Sequence, residues 1–166
     1  TNRKPVATEA LVEGLQAADV AGQLLVGYPI LASPDGSYAV DALLISPRHG
    51  LVCFDLVEGQ DLDNYEDRQD IAATRLEARL LPHKELVVRR KLAVEIRTVT
   101  FAPARSNVPA TDHEYVVVAR HDLPQAMEHL ASQPIDQDLY DAALSAIQSI
   151  TAIRRPKGAR KVSNPQ

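Results

Sequence analysis

Apolar positions along the chain change their period several times, and each change marks an element. Thr8 precedes Leu11, Leu15 and Ala18 at helical spacing, which predicts a first helix near 8–20 with Thr8 as its N-cap. Leu24 to Leu31 reads as a strand, and Ser33-Pro34-Asp35-Gly36 as a turn after it. The segment Tyr38 to Glu58, YAVDALLISPRHGLVCFDLVE, holds two apolar runs around Ser46-Pro47-Arg48-His49-Gly50. Such punctuation predicts a β-hairpin, and its near-continuous apolar runs predict a sheet covered on both faces. Leu62 to Leu81 follows as an amphipathic helix with Ile71, Leu76, Leu80 and Leu81 on its stripe, stopped by Pro82. Lys84 to Arg90 reads as a short helix or turn, and Leu92 to Phe101 as a strand alternating through Val94, Ile96 and Val99. Pro103 to His113 is a loop and Tyr115 to Ala119 a short apolar strand. Asp122 caps a helix with Pro124 early in it. A last helix runs from about Asp136 to Ile153 with Leu139, Ala143, Ile147 and Ile150 on one face. No internal repeat is visible. The predicted fold class is α/β, a mixed sheet of about five strands with helices on both faces.

The hairpin places two carboxylates together. If Ile45 pairs with Leu51, Asp41 lies opposite Asp55 and Ala39 opposite Val57; a turn one residue shorter would put Phe54 opposite Asp41 instead. Directly opposed side chains sit roughly 4.5–5.5 Å apart at Cβ. Two like charges that close repel unless a cation, a proton or water relieves them. The rest of that face is Leu43, Ile45, Leu51 and Cys53, among which a carboxylate without partners is costly.

Length and charge narrow the classes. A chain of 166 residues fits one domain with a real core. No run approaches the ~20 apolar residues of a membrane span, and Thr1 to Pro5 does not look like a signal peptide. No membrane partner and a cytoplasmic location are therefore expected. The single cysteine, Cys53, excludes an internal disulfide and a cysteine-rich zinc site. Of 18 basic and 22 acidic residues, five basic ones (Arg154, Arg155, Lys157, Arg160, Lys161) and no acid fall in residues 154–166. Residues 1–153 then hold 13 basic and 22 acidic, a balance of −9. Residues 1–153 read as the folded domain and 154–166 as a basic, weakly packed linker. An acidic body argues against broad nucleic-acid binding by this domain alone.

The order of a helix, a three-stranded meander with an acid on its second strand and another on its third, then a helix and a strand, resembles the core of the restriction-endonuclease-like nucleases. GSYAVDALLISPRHGLVCFDLVEG is similar to the nuclease-related domain of that superfamily, over roughly residues 8–101. In that domain an aspartate precedes an apolar strand, and a glycine-containing turn leads into an apolar–acid–x–lysine–glycine pattern. The resemblance makes Asp41 the first acid and Asp55 the second. These two would be the catalytic acids and the metal ligands, for Mg2+ or Mn2+. It implies a third acid on the first helix, Glu9 or Glu13. Phosphodiester hydrolysis uses divalent ions to neutralise phosphate and activate water, and magnesium takes hard oxygen ligands. Val57 stands where the family has its lysine. Valine neither donates a hydrogen bond nor carries charge, so the resemblance implies a degenerate module, with weak metal binding at most. Arg68, Arg75 and Lys84 are the cations nearby in sequence that would substitute.

YEDRQDIAATRLEARLLPHKELVVRRKLAVEI, with YDAALSAIQSITAIRRPKGARKV, resembles the N-terminal region of bacterial superfamily I DNA helicases of the UvrD-like kind, where a nuclease-related domain precedes an ATP-driven motor. The implied partners are DNA, through the full-length protein, and a helicase motor domain in cis. The full-length protein would then be an ATP-dependent helicase. This chain has no Walker A sequence of its own. The alternatives are an active metal-dependent DNase and a protein-interaction domain with structural acids. The five histidines are scattered, without zinc-site spacing, and Ser46 and Ser106 lack a nucleophile-elbow context. Only seven aromatics, five tyrosines and two phenylalanines, argue against a stacking platform for single strands.

Overall fold

A computed structural model describes residues 4–33, 36–109, 114–131, 133–150 and 160–161. The chain runs α1 (Pro5–Ala17), β1 (Gln23–Ser33), β2 (Gly36–Ser46), β3 (Gly50–Leu56), α2 (Tyr65–Leu80), β4 (Val87–Val88), β5 (Lys91–Leu92), β6 (Ile96–Phe101), β7 (Val116–Val118), α3 (Leu123–Leu130), α4 (Gln137–Ile150) and β8 (Arg160–Lys161). Strands β1, β2 and β3 form an antiparallel meander, and β6 and β7 add to it in parallel, giving the order β7-β6-β3-β2-β1. The parallel step from β3 to β6 carries α2, because parallel neighbours need a crossover. The result is the α/β architecture with a five-stranded mixed sheet expected from the sequence.

The hairpin takes the first of the two registers that the turn allowed, the one that sets Asp41 against Asp55. Ile45 pairs with Leu51, Leu43 with Cys53 and Ala42 with Phe54. Gly50, at the end of the turn, has φ +71, and a Cβ there would meet the Glu95 carbonyl oxygen at 2.9 Å. The turn therefore needs glycine on two counts.

Alternation along β2 and β3 sorts the core into two layers. Ala42, Leu44, Val52, Phe54 and Leu56 face α1 and α3, meeting Leu11, Leu15, Leu123 and Met127. Leu43, Ile45, Leu51 and Cys53 face α2 and α4, meeting Leu76, Leu80, Ala143 and Ile147. Helices cover both faces of the sheet. Among the described residues, no helix is long and apolar enough to cross a membrane.

The first helix differs from expectation. It begins at Pro5, not Thr8, with proline in the first turn where its missing N–H costs nothing. Thr8 lies inside the helix, buried, and its N–H bonds the Lys4 carbonyl. The capping comes from far along the chain: the Glu58 carboxylate accepts from the N–H groups of Val6 at 2.9 Å and Ala7 at 2.8 Å. An anion at a helix N-terminus satisfies orphan donors and opposes the macrodipole.

Two further departures concern short strands. The predicted strand 92–101 starts at Ile96, and Lys91–Leu92 instead pairs with Val87–Val88 as a separate hairpin after a single 3-10 turn, Lys84–Leu86. Arg160–Lys161, within the stretch expected to pack little, pairs with Gln23 and Leu24 at the outer edge of β1. Pro34 and Asp35 of the predicted first turn, 110–113 of the predicted loop, the end of the last helix, 151–153, and 154–159 and 162–166 of the predicted linker lie outside the described residues.

Candidate functional site

Asp41 and Asp55 each lie one step beyond the pair Ala42–Phe54, on adjacent antiparallel strands. Their positions alternate with Leu43 and Cys53, so both belong to the face covered by α2. They line one cavity of about 170 Å³ together with Lys4, Arg68, Gln69 and Thr98. It opens at the C-terminal end of β3, whose parallel neighbour β6 brings Thr100 beside Asp55. In open α/β sheets that end of the strands is where ligands bind.

Each carboxylate has a cation of its own. Asp55 is gripped by Arg68 of α2, Nε to Oδ1 at 2.8 Å and Nη2 to Oδ2 at 3.0 Å, and it accepts the Thr100 hydroxyl at 2.8 Å. Arg68 Nη2 also donates to the Leu62 carbonyl at 2.9 Å. The bond to Asp55, helped by that anion's field, raises the Arg68 pKa against the opposing effect of burial. Asp41 Oδ2 accepts from Lys4 Nζ at 2.7 Å and from the Leu56 N–H at 2.9 Å, and Lys4 donates a second bond to the Leu56 carbonyl at 2.6 Å. The repulsion anticipated between two opposed carboxylates is thus relieved by two protein cations, one from the start of α1 and one from the first turns of α2.

A polar chain continues from Asp55 into the sheet. Gln69 Nε2 donates to Thr100 Oγ1 at 2.9 Å and to the Val116 carbonyl at 3.0 Å, and Gln69 Oε1 accepts from Thr98 Oγ1 at 3.1 Å. Gln69 and Thr100 are both buried, and every bond in the set satisfies a group that would otherwise be costly there.

The remaining sequence candidates fall elsewhere. Glu9 and Glu13 are exposed on α1 and neither lines the cavity; the part of α1 that reaches the acids is Lys4. Val57 is buried just past the end of β3, its N–H bonded to the Phe101 carbonyl. The position that the family pattern gives to lysine is therefore an apolar one here. Of the three nearby cations, Arg68 is the one that meets Asp55; Arg75 is half-buried further along α2 and Lys84 is exposed in the 3-10 turn. Lys4, Glu58, Gln69 and Thr100 were not indicated by the sequence, because each acts across long stretches of chain.

The donor set does not suit a divalent ion as it stands. Magnesium and manganese take oxygen ligands free to face them, whereas both oxygens of Asp55 and one of Asp41 already accept charged hydrogen bonds. Among the described residues no group of three or more His, Cys, Asp or Glu side chains is arranged to hold a metal. No family model, no curated protein and no solved structure matches the chain.

Proposed function

We propose that this chain is a degenerate, lysine-less nuclease-related module that serves nucleic-acid processing as the N-terminal domain of a DNA helicase-type protein. The order α1, meander, α2, β6 supports the restriction-endonuclease-like reading, as do the acids on the second and third meander strands. One observation carries the degenerate assignment: Asp41 and Asp55 face the same cavity, yet Lys4 and Arg68 occupy them with direct ion pairs. A metal would have to displace a bidentate arginine, and no lysine stands at position 57 to aid an attacking water. On this reading the site has exchanged an external cation for two internal ones and keeps the architecture without turnover.

Calorimetric titration with Mn2+ tests the proposal alongside a DNA-cleavage assay. The wild-type chain is expected to bind Mn2+ weakly and to leave DNA uncut. Arg68→Gln frees Asp55 and is expected to raise Mn2+ affinity about tenfold or more, the scale of one charge-assisted contact. Robust metal-dependent cleavage by the wild type, lost in Asp41→Asn, would overturn the degenerate reading in favour of an active DNase. Unchanged Mn2+ affinity in Arg68→Gln would make the acids purely structural and leave an interaction domain.

A further inference from the structure

We propose that the tip of the β4–β5 hairpin, Arg89-Arg90-Lys91, is a contact surface for the phosphate backbone of duplex DNA. Val88 pairs with Lys91, so the connection is a two-residue turn of Arg89 and Arg90. Both have positive φ, 53 and 70. Such a turn requires left-handed backbone at both central positions, and Asn-Gly fills it at least cost. Arginine at both is a costly choice for a turn whose only task is to reverse the chain.

The side chains are placed for an outside partner. Arg89, Arg90 and Lys91 are all exposed. Among the described residues, no ion pair or side-chain hydrogen bond engages any of the three. Lys4, Arg48, Arg68 and Arg97 each meet a carboxylate of the chain, and what sets the tip apart is that its three cations are consecutive. Glu77 and Glu95 share a hollow with Arg90 and Lys91, but Glu95 is already held by Arg97 at 3.0 Å. Three adjacent unpaired cations therefore project together from one hairpin, a local contact and not the broad binding against which the balance of −9 over residues 1–153 argues.

The chemistry selects the partner. A guanidinium presents a planar fork that fits a phosphate bidentately, and neighbouring arginines at a narrow tip match a row of phosphates. A single-stranded partner would need aromatic faces beside the cations for stacking, and the segment 84–92 that carries the tip holds no aromatic residue. An anionic membrane would need a broad apolar face beside the cations, and the exposed large apolar side chains there, Val88 and Leu81, do not make one. The surface adjoins the C-terminal half of α2, whereas the Asp41–Asp55 cavity adjoins its first turns. The proposal rests on the nucleic-acid reading above for its probe, and on neither acid for its geometry.

The test is the salt dependence of fluorescence anisotropy with a short labelled DNA duplex. It uses the 166-residue chain with its tail cations, Arg154, Arg155, Lys157, Arg160 and Lys161, changed to glutamine so that they do not mask the tip. Three phosphate contacts predict a log–log salt slope of about −2.7, falling to about −0.9 in Arg89→Asn/Arg90→Gly with affinity at least about tenfold weaker at low salt. The same double variant relieves the turn and is expected to melt higher than its parent, a combination that general damage does not produce. If Asn-Gly fails to fold, Arg89→Gln/Arg90→Gln gives the same binding comparison. Affinity within about twofold of the parent, or no duplex binding at low salt, would overturn the proposal. So would binding to phosphatidylserine vesicles in preference to duplex. The Mn2+ titration of Arg68→Gln reads the acid site separately, so either proposal can fail alone.

Discussion

Arg68 holds Asp55 through two parallel hydrogen bonds, at 2.8 and 3.0 Å, from the helix that follows it. The Asp55 side chain is 10 % exposed and Arg68 32 %. Removing the arginine leaves a nearly buried charge with only Thr100. Arg68→Ala is expected to cost about 2–3 kcal/mol, less than a fully buried pair because the arginine keeps some water. Arg68→Lys restores the charge without the fork and should recover only part of it. Urea denaturation of both variants gives the comparison; equal stability of Lys and wild type would show that charge alone matters.

Glu58 caps α1 from 52 residues away in sequence. Glu58→Ala is expected to cost about 1 kcal/mol, the usual value of a lost cap. Glu58→Gln should cost less, since it keeps an acceptor but not the charge that opposes the macrodipole. Thermal melts decide this. A loss confined to Glu58→Ala, with Gln equal to wild type, would assign the effect to hydrogen bonding alone.

His49 is buried between the β2–β3 turn and α3. Its Nε2 lies 2.9 Å from the Met127 carbonyl, which only accepts, so Nε2 carries the proton and Nδ1 accepts from the Ser46 hydroxyl at 3.0 Å. Burial lowers its pKa from 6.5, opposed by the Met127 carbonyl; among the surrounding charges Arg48 and Arg97 lower it and Glu128 raises it. The unfolded chain then takes up a proton before the folded one. This contribution is intact above about pH 6.5 and is lost as pH falls toward the lowered value, by at most about 1.4 kcal/mol per pH unit. His49→Gln should flatten the melting temperature between pH 7.5 and 5 relative to wild type. Parallel profiles for the two proteins would contradict the assignment.

Cys53 is fully buried in the central strand β3, and burial pushes its thiol up to about 12. The thiolate is the reactive form. A thiol-specific chromogenic reagent should therefore label the native protein only through unfolding. Rapid labelling in native buffer would show that the sheet opens locally around Cys53.

The register of the acids was legible as one of two that the turn length allowed; sliding by one would bring Phe54 opposite Asp41 and carry Leu43 and Ile45 into the layer against α1 and α3. What relieves the acids was not legible. Lys4 sits 37 residues from Asp41 and reaches it only once α1 is docked, and Glu9 and Glu13 looked better placed by family pattern than they are in space. Thr8 has the residue type of a cap, but Pro5 and Glu58 start the helix one turn earlier. The β4–β5 hairpin was hidden because Arg-Arg does not announce a two-residue turn as Asn-Gly does.

Gln69 makes α2 a check on how the last strands are aligned. One side chain reads two threonines on β6 and one carbonyl on β7. If β6 slipped by a single residue, Thr98 and Thr100 would turn to the opposite face, and the amide would be sealed in with only the Val116 carbonyl to meet it. A misaligned sheet under the closed helix is thereby penalised relative to the native one. An apolar residue of similar size at position 69 would pack without complaint against either alignment, so the amide contributes fidelity of assembly more than strength.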